Sequence, residues 1–216
     1  SDCFQNYDLN SVVTLTATPA ATAYFSGWGN CPSAAANVCS VTIDQAYTVT
    51  ANFTRHWELV VNNSGGGTVS SAPAGIQCPL DCDEFYDSGS SVTLTATPQS
   101  SGYLFDGWSG ACVNSSGVCV LDMTQARSVT ASFSLKQFTL NVSTSGSGAT
   151  GSSITSSPAG INTATGDNQE LYDINTVVTL TATPSSTAYF SGWTGGGCDA
   201  ISVNTCTVTL DQAYSV

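Results

Sequence analysis

One stretch, present three times, restricts what this chain can fold into. It reads Val13-Thr14-Leu15-Thr16-Ala17-Thr18-Pro19 and leads, after a short gap, to Phe25-Ser26-Gly27-Trp28. It returns as Val92 to Pro98 with Phe105-Asp106-Gly107-Trp108, and again as Val178 to Pro184 with Phe190-Ser191-Gly192-Trp193. Val, Leu and Ala alternate with Thr, the period-two pattern of a strand with one face in a core and the other toward water. The closing Pro cannot donate to a ladder and ends the strand. Nothing in the sequence sustains a 3.6-residue period, so the pattern predicts an all-β chain with little helix.

The spacing of the copies sets the organisation. The motif tryptophans stand about 80 residues apart, which predicts an N-terminally incomplete repeat at 1–53, a complete one at 54–133, and a third at 134–216 lacking its last strand. Val216 aligns with Val49 and Val129. The segment therefore reads as part of a longer tandem array. A module of such a size buries only about 60% of its unfolded surface, so cross-links or packing between neighbours should matter. The joins are short: Phe53 precedes Trp57 by four residues and Phe133 precedes Phe138 by five. No flexible linker fits there, which predicts touching modules in an elongated, stiff array.

These motifs resemble the divergent internalin-type B-repeat family of bacterial surface proteins. The resemblance is carried by Pro73-Ala74-Gly75-Ile76, Cys78 and Cys82, Val-Thr-Leu-Thr-Ala-Thr-Pro, Phe-x-Gly-Trp, Cys112 and Cys119, and the closing Val129-Thr130-Ala131-Ser132-Phe133. It implies small, mainly antiparallel, β-grasp-like modules strung in tandem on secreted or surface-anchored proteins, with no common catalytic residues. The third copy departs from the pattern by lacking the first Cys pair.

Nine cysteines are present. Four in one repeat allow three pairings, and comparison of the copies narrows them. The third copy has lost the counterparts of Cys78 and Cys82 together, with Thr163 and Asn168 near those places, while keeping Cys198 and Cys206. Loss in pairs suggests bonding in pairs, which predicts Cys31 with Cys39, Cys78 with Cys82, Cys112 with Cys119, and Cys198 with Cys206. Cys3 matches Cys82, and the partner it needs falls before Ser1, so it is expected to be unpaired by truncation. Disulfides on this scale place the protein in an oxidising compartment, extracellular or at the cell surface. Zinc is disfavoured because no His accompanies the cysteines, and Cys-x-x-Cys-His for covalent haem is absent.

Charge excludes further classes. Arg55, Arg127 and Lys136 face fifteen acidic residues, for a net charge of -12. Phosphate backbones and anionic membranes would be repelled, so no nucleic-acid partner is expected. No apolar run reaches the length of a membrane span, so no membrane insertion is expected in this segment.

Several residues invite sharper readings. Trp28, Trp108 and Trp193 could stack on sugars, but each follows Gly in a strand with apolar alternate positions, and a small module needs a large aromatic in its core. They are read as core anchors. Trp57, at a junction, is read as packing between copies. His56 is the sole histidine and has no nucleophile or carboxylate at triad spacing. Asp81, Asp83, Glu84 and Asp87 could hold calcium, but the equivalent loops carry fewer acids, which favours a solvated loop. Asn52, Asn62, Asn114 and Asn141 begin glycosylation sequons, short patterns that recur by chance in Asn/Ser/Thr-rich chains. No constellation for catalysis and no cofactor site emerges. The expected function is therefore a non-enzymatic extracellular spacer or filament-forming segment, partnered by neighbouring repeats and other copies of itself. The alternative is an adhesin or glycan-binding array that reads surface glycans.

Overall fold

A computed structural model of the chain describes residues 3–216. Nineteen strands and one short 3-10 helix, Thr163–Thr165, make up its regular structure. In chain order the strands begin with β1 (Val12–Thr16), β2 (Ala23–Gly29), β3 (Ser33–Ala35), β4 (Val38–Thr42) and β5 (Thr50–Asn63). The second repeat continues with β6 (Gly67–Ala72), β7 (Gln77–Cys78), β8 (Asp83–Asp87), β9 (Ser91–Pro98), β10 (Tyr103–Gly110), β11 (Val118–Asp122) and β12 (Arg127–Leu135). The third adds β13 (Gln137–Asn141), β14 (Ser153–Ser157), β15 (Gln169–Asp173), β16 (Val177–Thr183), β17 (Ala200–Ser202), β18 (Thr205–Thr209) and β19 (Tyr214–Ser215). The protein is thus all-β and built from small, mainly antiparallel sheets.

Two compact units form. The first gathers the chain up to Thr97 together with Phe105–Phe133, and the second gathers Pro98–Leu104 with Ser134–Val216. The second repeat, in the first unit, shows the architecture most fully. One sheet has the order β10-β12-β5, with β8 on the other side of β5, and the second has the order β11-β9-β6-β7. β12 runs parallel to β5, with Val129 beside Val61, whereas β8 on β5 and β11 on β9 are antiparallel. Alternate residues of both sheets meet in one core: Leu59 and Val61 of β5, Val92 and Leu94 of β9, Val129 and Ala131 of β12. Period-two alternation is what delivers them there, since every second side chain of a strand lies on one face. Along β9, Val92, Leu94 and Ala96 are buried while Thr95 and Thr97 are exposed. Each fully buried Val or Leu contributes about 1.5–3 kcal/mol.

The second unit repeats this plan with β15-β13-β19 and β14-β16-β18-β17 around Leu140, Val178, Leu180, Val208 and Leu210. Again the last strand, β19, lies parallel to the first, β13. In the first repeat, β1-β4-β3 forms a sheet and β2 pairs with the N-terminal half of β5.

β5 is the longest strand, at 14 residues. Its Thr50–Arg55 half pairs with β2 of the first repeat, and its His56–Val60 portion pairs with β8 of the second. The join between these repeats is therefore a continuous strand. Two further bonds brace it: the His56 amide donates to the Thr22 carbonyl at 3.0 Å, and the Ser88 amide donates to the Arg55 carbonyl at 2.8 Å. In the second unit the same pair of bonds recurs, from the Lys136 amide to the Gly102 carbonyl and from the Ile174 amide to the Lys136 carbonyl, both at 2.8 Å.

The Pro-Ala-Gly-Ile step has a local physical cause. In the second repeat Ser71 Oγ accepts the Ile76 amide at 2.9 Å and the Tyr86 hydroxyl at 2.7 Å. Ser156 Oγ likewise accepts the Ile161 amide at 2.9 Å and lies 2.9 Å from the Tyr172 hydroxyl. A Cβ on Gly75 would collide with Glu84, and one on Gly160 with Glu170. Side chains of β8 or β15 thus lie directly on the turn, and a Cβ there would force the glutamate aside.

Candidate functional site

The Phe-x-Gly-Trp segments are the most distinctive side-chain clusters. In a regular strand, residues three apart face opposite ways. Here the pairing of β2 with β5 slips between Phe25 and Gly27, a bulge, and Gly27 has φ +142°. Gly107 and Gly192 have φ +145° and +136°, conformations that L side chains rarely adopt. The bulge turns the strand so that Phe and Trp come to one side. The rings of Phe25 and Trp28 stand 5.2 Å apart, those of Phe105 and Trp108 5.4 Å, and those of Phe190 and Trp193 5.2 Å. Phe53 and Phe133 complete the first two clusters, at 5.7 Å from Phe25 and 5.3 Å from Phe105. Trp108 is only 3% exposed, so its ring offers no platform to a sugar, whereas Trp28 and Trp193 are half-buried.

Four disulfides join Cys31 to Cys39, Cys78 to Cys82, Cys112 to Cys119 and Cys198 to Cys206, with Cα separations of 6.0, 4.9, 6.2 and 5.4 Å. Cys39, Cys119 and Cys206 lie at the same place in equivalent strands, β4, β11 and β18, and all three are buried. Cys3 is free and exposed. The Val61 amide donates to the Cys82 carbonyl, and the Val142 amide to the Asn168 carbonyl, both at 2.8 Å. Asn168 therefore occupies the Cys82 place. Nearby, Thr163 Oγ1 accepts the Ile154 amide at 2.8 Å and opens the 3-10 helix, which Asn162 caps at one end and Gly166 at the other. Hydrogen bonds brace in the third repeat the loop that sulfur braces in the second.

Trp57 differs from its sequence expectation. It packs against the core of the second repeat, donates from Nε1 to Ser88 Oγ at 3.3 Å, and carries the Arg55 guanidinium 5.6 Å from its ring centre. Its position on β5, directly opposite Tyr86, aims it at that core. Packing between copies falls to its neighbour. The His56 ring stands 4.6 Å from Phe85 of the second repeat and 6.0 Å from Tyr24 of the first, and the Tyr24 hydroxyl reaches Asp87 at 3.3 Å.

The acidic stretch is an extended strand, so Asp83 and Asp87 alternate with Glu84. Glu84 turns onto the backbone and accepts the Phe85 amide at 2.7 Å. Among the described residues, no three His, Cys, Asp or Glu side chains converge on a point that could hold a metal ion. The sequon residues Asn52, Asn62 and Asn114 are exposed and Asn141 is half-buried. No helix among the described residues is long and apolar enough to cross a membrane.

Burial raises the Tyr86 hydroxyl above its ordinary pKa of 10, with Glu84 and Asp81 adding to the effect against the Ser71 hydrogen bond. Burial likewise raises Tyr172, with Glu170 and Asp167 adding and the Ser156 bond opposing.

A groove of about 640 Å³ lies along Phe190–Trp193, floored by Ile154 and Ala182 and walled by the Ser143–Ser153 loop. It lies where β12 runs beside β10 in the second repeat, the strand whose counterpart the sequence reading found missing from the third.

No curated protein and no solved structure matches the chain. The divergent InlB B-repeat domain matches it three times, at residues 1–56, 57–137 and 141–216. With those matches spanning nearly every residue, and a Phe-x-Gly-Trp step with its glycine at positive φ recurring in each, the chain belongs to the divergent InlB B-repeat family.

Proposed function

We propose that this chain is a non-enzymatic spacer segment of a bacterial surface protein, projecting or assembling other parts of that protein outside the cell. The observation that carries this reading is β5: one strand of 14 residues serves two repeats. At about 3.3 Å per residue such a strand extends for roughly 46 Å, and bending it at the join would break ladder bonds on both sides. The Thr22–His56 and Arg55–Ser88 bonds add to its resistance. Disulfides fit an extracellular setting, and the family is one of surface repeats. Small-angle scattering on chains with two, three and four repeats tests the reading. The maximal dimension is expected to rise by a constant increment per repeat. A dimension that grows only as the square root of repeat number, as for a flexible chain, would overturn it.

A further inference from the structure

We propose that the parallel pairing of a repeat's first and last strands is a mechanical clamp, which lets the chain bear tension along its length. In the second repeat β12 lies beside β5 and runs the same way, with Arg127 opposite Leu59, Val129 opposite Val61 and Ala131 opposite Asn63. β5 brings the chain into this repeat and β12 carries it out. Tension along the chain therefore draws β5 toward its N-terminal end and β12 toward its C-terminal end. Parallel neighbours pulled in opposite senses separate only by sliding, and the evenly spaced bonds of a parallel ladder then share the load. A hairpin pulled at its open end gives way one bond at a time instead.

The surroundings of this ladder strengthen it against sliding. Leu59, Val61, Val129 and Ala131 are all buried, so water cannot take over the ladder bonds from the inward face. At the far end the Ser64 amide donates to the Ala131 carbonyl at 3.1 Å, and the Phe133 amide donates to Ser64 Oγ at 2.9 Å. The Phe133 ring is seated so closely over Gly67 that a Cβ there would collide with it. On the outward face Asn62 Nδ2 donates across the pair to Ser128 Oγ at 3.3 Å. Load also reaches the ladder along a strand rather than through a loop, because the Thr50–Arg55 half of β5 is already paired with β2 in the first repeat. The third repeat is arranged alike: β19 runs parallel to β13 with Tyr214 opposite Leu140, and the Val216 amide donates to the Asn141 carbonyl at 3.0 Å. In the second repeat β6 to β11 and both disulfides lie between the two clamp strands in sequence, so they carry no tension until the ladder yields. The clamp goes beyond the spacer reading, which requires stiffness against bending and no resistance to pulling.

Single-molecule pulling on the whole chain tests this, with Cys3→Ser in the background so that only the introduced thiols take handles. Asn52→Cys with Leu135→Cys loads the clamp lengthwise, and Asp87→Cys with Gln125→Cys loads the same sheet crosswise; all four positions are exposed. The second repeat is expected to yield lengthwise in one step, at a force at least about twofold above the crosswise force at the same loading rate, because the ladder bonds break together rather than in turn. Equal forces in the two directions, or a lengthwise opening by gradual steps, would overturn the proposal. The outcome is separable from that of the scattering experiment. Constant increments without a force difference leave a spacer with no clamp, and a force difference without constant increments leaves clamped modules on a flexible string.

Discussion

The repeated motifs are, residue by residue, solutions to packing problems. Gly107 of Phe-x-Gly-Trp sits at φ +145° with the Asn114 carbonyl 2.9 Å from where a Cβ would stand, and the bulge it permits is what sets Phe105 and Trp108 side by side. Tyr86 and Tyr172 close the Pro-Ala-Gly-Ile turns through Ser71 and Ser156. Their titration carries a pH signature. Both phenols have folded pKa values above 10 because burial disfavours the phenolate. The folded state therefore holds these protons more tightly than the unfolded chain, and the stability this confers is complete below pH 10 and lost as pH rises through the raised values. Tyr86→Phe should cost about 0.5–1.5 kcal/mol at pH 7 through the lost hydrogen bond. It should also make the alkaline decline shallower. Urea midpoints measured from pH 7 to 12 for the wild type and for Tyr86→Phe would show both effects; parallel curves would mean that Tyr86 does not titrate differently in the two states.

At the scale of elements, cores outweigh cross-links. The Cys78–Cys82 and Cys112–Cys119 loops close only 4 and 7 residues, so each bond is worth less than the roughly 3 kcal/mol of a 15-residue loop. The third repeat dispenses with the first of these by using Thr163, Asn162 and a 3-10 turn. Guanidinium unfolding should accordingly find that Cys78→Ala with Cys82→Ala costs less than about 3 kcal/mol. Leu94→Ala, which empties a fully buried site, should cost about 2–5 kcal/mol. The reverse order would mean that sulfur, not the core, holds the module. The strands themselves were legible because β9 and β16 write their inward face in plain alternation, and Pro98 and Pro184 mark where the pattern stops. Less legible was whatever depends on two strands distant in sequence. The parallel lie of β12 on β5 leaves no mark in either strand alone. Trp57 was misplaced because its junction position said nothing about which face of β5 it would occupy.

For the molecule as a whole, the open question is where copies can meet, and sheet edges decide it. In the first and third repeats the strand at the end of the module, β4 or β18, is covered by a three-residue strand, β3 or β17. In the second repeat the equivalent strand, β11, ends its sheet uncovered. β11 carries no lysine, the usual guard of an exposed edge, and Val118 and Val120 are 46% and 61% exposed on it. The net charge of -12 opposes close approach at low salt. Association through β11 should therefore strengthen as ionic strength rises, the reverse of what contacts between opposite charges would show. Sedimentation velocity at increasing concentration in 0.5 M salt should reveal dimers or larger species in the wild type. Val120→Lys, at an exposed position outside the core cluster, should restore the monomer while keeping the same melting behaviour. A wild-type chain that stays monomeric at high concentration and high salt would remove β11 as an assembly edge and confine contacts to neighbours along one chain.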